Sequence, residues 1–161
     1  MFLTANDFAI QNREIVKPND QGYSFVFFFT NECKWCNDVK PAFNYLSKMI
    51  RGVNFAYMDV SQNNWQLVNM SLRTNTPIEV VPLLRLFANG KQIAQFNQDE
   101  DNPQNNITKM QQFIRENTTR QSTRIIGSGT SNEIPPYSIG IPGNLASRKV
   151  CKLYHNAYVK Q

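Results

Sequence analysis

A chain of 161 residues is long enough for one domain of ordinary size with an appendage, and three cysteines are too few for a disulfide-stapled secreted scaffold. No apolar run approaches the length that spans a bilayer, and the opening residues lack a charged-then-apolar leader with a cleavage site, so a cytoplasmic protein without a membrane span is expected. The net charge of +5 is uneven: Met1–Asn117 carries 11 Lys+Arg against 11 Asp+Glu, whereas 118–161 carries 6 against Glu133 alone, so only the tail is basic.

Phe2 to Thr4 can form a short first strand, and Asn6 is placed to cap a helix through Phe8, Ala9 and Ile10. Lys17-Pro18-Asn19-Asp20-Gln21-Gly22 is turn chemistry. The run Tyr23 to Phe29 is too short for a comfortable helix and apolar on both faces, which reads as a strand covered on both sides of a sheet. After it, Val39, Ala42, Phe43, Leu46, Met49 and Ile50 recur at helical spacing, predicting a helix over about Lys34–Arg51 that Gly52 closes. Val53 to Val60 is the next strand, so the two strands and the helix between them make a right-handed βαβ unit. Asn64 to Arg73 reads as a second helix, and Thr74 to Val80, which contains Pro77, as a neutral surface connection.

Leu83 to Ala88 and Lys91 to Phe96 read as two strands joined by the Asn89-Gly90 hairpin turn. Asn97 to Asn106 is polar and acidic, a solvated loop, and Ile107 to Asn117 fits a final helix. From Thr118 no period persists, and dense Pro, Gly and Ser predict an extended or disordered extension. Its apolar residues, among them Ile125, Ile126, Ile134, Tyr137, Leu145, Val150, Leu153 and Tyr158, would let it dock on its own domain or on a neighbouring chain.

The chemistry sits at the junction of the buried strand and the helix, in Cys33-Lys34-Trp35-Cys36. The first turn of a helix presents unpaired N–H groups and the positive end of its dipole, which favour a thiolate. Cys33 is thus the candidate attacking thiol, with Lys34 as an added positive charge, and Cys36, one turn in and more buried, the candidate resolving thiol. Two idle core thiols or half of a zinc site are the competing readings. A zinc site would need Cys151 and His155, four residues apart near the C-terminus, and the strand–turn–helix setting suits redox chemistry better.

With these residues the chain resembles the thioredoxin superfamily over about residues 1–117. The strand ending at Cys33-x-x-Cys36 is one match, and Pro41 falls where that family has a proline in the active-site helix. Phe55-Ala56-Tyr57-Met58-Asp59-Val60 is similar to the family's next strand with its acidic end, and Val80-Val81-Pro82-Leu83 to Gly90-Lys91 to its cis-proline strand and hairpin. Leu3-Thr4-Ala5-Asn6-Asp7-Phe8 resembles the start of protein-disulfide-isomerase domains. The resemblance implies a thioredoxin fold, α/β, with a mixed central sheet of four to five strands flanked by helices, and residues 118–161 as a separate docking arm. It implies a thiol-disulfide oxidoreductase acting on protein thiols and disulfides without metal or organic cofactor. It implies that Pro82 is cis, and that the backbone of Val81 holds an extended substrate strand; Trp35 could add an apolar rim.

The sequence departs from that family at three places. The buried carboxylate six residues before the first cysteine is replaced by Phe27, the residue before Cys33 is Glu32 rather than Trp, and Lys34-Trp35 is not one of the common dipeptides. Without a base, attack by Cys36 should be slow. The Thr74–Val80 connection is longer than the family spacing between Asp59 and Pro82 implies. Cys151 reads first as a free surface thiol, with a mixed disulfide to another protein or a bond to Cys33 as the sharper readings. Arg120, Arg124, Arg148, Lys149, Lys152 and Lys160 are scattered rather than a stripe, which argues against nucleic acid and for an arm that docks on a protein assembly. The alternative to an enzyme is therefore a structural thioredoxin-fold component held in an assembly by its tail. By association, the Asn-rich composition would suit a large DNA virus particle.

Overall fold

A computed structural model describes residues 1–61, 64–127 and 149–153, giving only the backbone of 119–127. Strand β4 (Tyr23–Phe29) lies inside a seven-stranded sheet of order β1-β5-β4-β7-β8-β3-β2, built with β1 (Phe2–Leu3), β2 (Ala9–Gln11), β3 (Glu14–Val16), β5 (Val53–Asp59), β7 (Leu83–Ala88) and β8 (Lys91–Phe96). A second, two-stranded sheet joins β6 (Val80–Val81) to β9 (Cys151–Lys152). The helices are α1 (Cys36–Met49), α2 (Trp65–Ser71) and α3 (Asn106–Gly127). The α/β thioredoxin fold expected from the sequence is present, with more strands than the four to five expected.

β4 runs parallel to β5, through the α1 crossover, and antiparallel to β7. Six of its seven residues are buried, because both faces are covered. On one face Phe25 and Phe27 meet Phe43 of α1, and Phe25 meets Phe113 of α3, with ring centroids 5.3–5.7 Å apart. On the other, Phe28 meets Phe8, 5.9 Å away. Rings at these separations add to simple area burial through edge and offset contacts. Asn89 (φ 51°) and Gly90 (φ 87°) make the tight turn between β7 and β8. A Cβ on Gly90 would run into the carbonyl oxygen of Lys17, whose own N–H donates to the Gly90 carbonyl at 2.8 Å.

Four expectations are corrected. The helix through Phe8–Ile10 is instead the β2–β3 hairpin, turned by Asn12 (φ 52°) and Arg13 (φ 63°). Thr4, not Asn6, is the cap: its side chain accepts from the Asn6 N–H and Asp7 accepts from the Thr4 N–H, closing a single 3₁₀ turn (Ala5–Asp7). The Thr74–Val80 connection is not a neutral surface loop, since Thr74, Thr76, Ile78 and Val80 are buried. Finally, α3 runs on to Gly127, through the expected boundary at Asn117. Of the tail residues named above, Ile134, Tyr137, Leu145, Arg148, His155, Tyr158 and Lys160 lie outside the described residues, as do the side chains of Arg120, Arg124, Ile125 and Ile126. Among the described residues no helix is long and apolar enough to cross a membrane.

Candidate functional site

The end of β4 delivers the chain into a tight turn. The Cys33 N–H donates to the Thr30 carbonyl at 3.4 Å, and the Cys36 N–H to the Cys33 carbonyl at 3.2 Å. Asn37 and Asp38 donate to Lys34 and Trp35 in the same way, so Cys36 opens α1 and Cys33 lies three residues ahead of it. Pro41 lies inside α1. Facing this turn is β6, followed by a cis peptide bond between Val81 and Pro82. Cys33 Sγ is 3.7 Å from the Val81 carbonyl oxygen.

The tail fills the space between them. Cys151 forms a disulfide with Cys33 across 118 residues of sequence, with the two Cα atoms 5.9 Å apart, and Cys36 is the free, buried thiol. The reading of Cys151 as a free surface thiol is thereby corrected; the tail cysteine reaches Cys33. Strand β9 lies antiparallel to β6, with Cys151 opposite Val81 and Lys152 opposite Val80, and the Leu153 N–H donates to the Glu79 carbonyl at 2.8 Å. Leu153 is buried in the core cluster. Upstream, the Gln98 side-chain amide donates to the Lys149 carbonyl at 3.1 Å and the Lys149 N–H to the Glu100 carboxylate at 3.2 Å. The acidic loop, expected to be wholly solvated, thus holds the tail strand. Lys109, with the Asn102 N–H and the Asn105 side chain, holds the neighbouring Asp99 carboxyl well below the usual carboxylate range.

Trp35, half-buried, is where two cations meet: Lys34 Nζ lies 4.5 Å and Lys149 Nζ 5.7 Å from its ring centroid. Cys33, expected to be the accessible thiol, is only 2% exposed, because the tail covers it. Burial pushes the Cys36 thiol up to about 11, against the smaller pulls of a hydrogen bond with the Thr30 backbone and of the Lys40 cation. Phe27 is fully buried among Phe29, Phe43 and Tyr57, so that position offers no proton acceptor. Cys33 thus lies beside the Val81 carbonyl and the cis bond to Pro82, Cys36 is buried at the start of α1, and Trp35 carries the Lys149 cation of the tail.

A residue not singled out in the sequence also shapes the groove. Arg85, completely buried, donates from its guanidinium to the Thr76 and Pro77 carbonyls at 2.9 and 3.0 Å and to the Gln92 side chain at 2.8 Å. The buried Ser71 hydroxyl accepts from the Ile78 N–H at 2.9 Å. These bonds fix residues 76–78 immediately before the strand that pairs with the tail. Burial without a carboxylate lowers the Arg85 guanidinium to about 9. A charged residue in an otherwise apolar strand was the available signal. As for zinc, Cys151 is committed to the disulfide, His155 lies outside the described residues, and among those described no group of three or more His, Cys, Asp or Glu gathers.

Comparison with known proteins places this geometry in context. The family model described as Thioredoxin matches residues 4–116. The chain is 32% identical over 141 residues to Uncharacterized protein 196R of Invertebrate iridescent virus 6, covering 84% of this chain and 74% of that one. It is 33% identical over 144 residues to Uncharacterized protein 020R of Invertebrate iridescent virus 3, covering 84% and 79%. The crystal structure of human ERp44 superposes on 61% of this chain and 28% of that one with a TM-score of 0.50 at 21% identity, a likeness of fold.

Proposed function

Because the chain belongs to the thioredoxin family, we propose that it is a thiol-disulfide oxidoreductase in which Cys33 attacks and Cys36 resolves. An external dithiol first exchanges with the Cys33–Cys151 bond, becoming a disulfide itself and freeing both thiols; Cys33 thiolate then attacks one sulfur of a protein disulfide, that S–S bond breaks, and the departing sulfur leaves as a thiolate and takes a proton. Cys36, once deprotonated, attacks Cys33, frees the second substrate thiol and leaves a Cys33–Cys36 disulfide. The substrate gains two electrons and two protons, and the cysteine pair loses them. Val81 and Pro82 border the strand-shaped part of the site, and Trp35 its rim. No metal or organic cofactor takes part in this scheme.

The observation that carries the reading is that Cys33 is already bonded to the sulfur of an extended strand aligned on the Val81 backbone. That is the geometry of a mixed disulfide with a protein substrate. Resolution is the slow half. With its thiol near 11, about one Cys36 in ten thousand is a thiolate at pH 7. The decisive assay is insulin reduction with dithiothreitol as electron source. Wild type accelerates it, Cys33→Ser falls to the uncatalysed rate, and Cys36→Ser accumulates mixed disulfides; equal rates for all three would remove the reductase reading.

A second reading has an observation of its own: both viral relatives come from iridescent viruses. In it the chain is a structural thioredoxin-fold component of a virus particle, with residues 118–161 acting as the docking arm. Removing the tail would then abolish incorporation into particles while leaving redox chemistry intact, and unchanged incorporation would exclude it.

A further inference from the structure

Cys151 and Leu153, two residues apart, both meet the domain, one bonded to Cys33 and the other in the core cluster, while Lys152 between them is exposed and Lys149 lies in the bend just before the tail strand. Most of its contacts are main-chain bonds that any sequence could make: Val80 and Val81 in the ladder, the Leu153 N–H to Glu79, and the Lys149 carbonyl and N–H to Gln98 and Glu100. Other contacts depend on side chains. Cys151 meets Cys33, Leu153 enters the core cluster at 8% exposure, and the Lys149 ammonium lies over Trp35.

We propose that Lys149–Leu153 is a built-in copy of the substrate strand, and that the site selects protein strands carrying a cysteine with a cation two residues before it and a branched apolar residue two residues after it. The proposal rests on the reading of Cys33 as the attacking thiol. It adds the class of partner: an extended segment that docks antiparallel to Glu79–Val81, reads its position from the backbone, and is discriminated by the Leu153 slot and by Trp35. An outside strand and the tail then compete for one groove, so the tail sets a threshold that poorly matching strands do not pass.

The test uses the full-length Cys36→Ser/Cys151→Ser chain, in which Cys33 is the remaining thiol. The probe is a peptide of sequence Lys-Val-Cys-Lys-Leu whose cysteine is activated as a mixed disulfide with thionitrobenzoate. Cys33 thiolate attacks the peptide sulfur, the bond to thionitrobenzoate breaks, and the coloured thiolate leaves. At concentrations below saturation, capture is expected to be at least about tenfold faster than for the same peptide with its Leu replaced by Asp, because the apolar side chain would be buried. Adding Leu153→Asp to the protein should speed capture of the matching peptide, since the tail then holds the groove less well. Equal rates for the two peptides overturn the proposal, as does a Leu153→Asp protein no faster than its parent. A control with 5,5′-dithiobis(2-nitrobenzoate) separates the two levels. Cys33 that reacts with this small disulfide but ignores peptide sequence sinks the strand preference alone, whereas Cys33 inert to it sinks the oxidoreductase reading as well.

Discussion

The β5-β4-β7 centre and the β6–β9 ribbon are both sheet, yet they are held together by different means. The centre has strands of six and seven residues in register, two covered faces and a cluster of phenylalanines. The ribbon has two residues on each side, one buried leucine, one disulfide and a few hydrogen bonds to side chains of the acidic loop. A region held by burial responds to heat and denaturant, which change the strength of burial. A region held by one S–S bond responds first to the thiol pool around it. The difference teaches that the molecule combines a scaffold packed together by burial with a covering strand whose attachment follows the redox conditions.

The largest effect should come from attacking the scaffold. Phe27→Ala removes a fully buried ring that meets Phe29, Phe43 and Tyr57, and should cost about 3–5 kcal/mol in denaturant unfolding. A loss below about 1 kcal/mol would mean that the centre is not held by packing in the way described.

The next effect lies at the boundary between the two regions. In the oxidised protein Cys36 is the free thiol, and its proton is held until about pH 11. Alkylation by iodoacetamide near neutral pH should therefore run at least about 100-fold slower than for a solvent-exposed thiol, since two units of pKa remove that much thiolate. The folded thiol keeps its proton more tightly than the unfolded one. This contribution to stability is therefore intact below about pH 9 and is lost as the pH rises through about 11. An alkylation midpoint near 9 would contradict the burial of Cys36.

The smallest effect belongs to the ribbon. Lys149→Ala removes the cation over Trp35 and leaves the backbone bonds of residue 149 in place. An interaction of about 0.5–1 kcal/mol should shift the Cys33–Cys151 equilibrium against glutathione by about two- to fivefold toward the reduced form. No shift would assign the ribbon's hold to its backbone and Leu153 alone.

What could be read in the sequence follows the same division. Tyr23–Phe29, Leu83–Ala88 and Lys91–Phe96 were legible to the residue because an apolar run and an Asn-Gly turn are local signals. The junction of β4 and α1 was legible too, which brought Cys33 and Cys36 into view. The β2–β3 hairpin was missed because Asn12-Arg13 is not a standard turn pair, and both residues adopt positive φ under constraint from the strands they join. The reach of α3 through 118–127 was missed because that stretch has no apolar period, and Arg85 because nothing local shows which carbonyls will surround it. The pairing of Cys151 with Cys33 is a closure over 118 residues. No periodicity encodes such a closure; the odd cysteine raised it only as one of several readings, and the free edge of β6 beside the Cys33 turn selects it.

That closure also changes the topology of the polypeptide. With Cys33 and Cys151 joined, the chain is a ring carrying two free ends, the 32 residues before Cys33 and the 10 after Cys151. All of α1, β4's partners β5 and β7, and the β8 and α3 elements lie on that ring. Unfolding it does not yield a linear coil, and a loop of this size restricts the unfolded ensemble by an amount worth about 4–5 kcal/mol on the chain-entropy account. A single cut anywhere on the ring releases no fragment until a reductant is added. The oxidised protein therefore stays one molecule after a nick, and the reduced protein becomes two pieces.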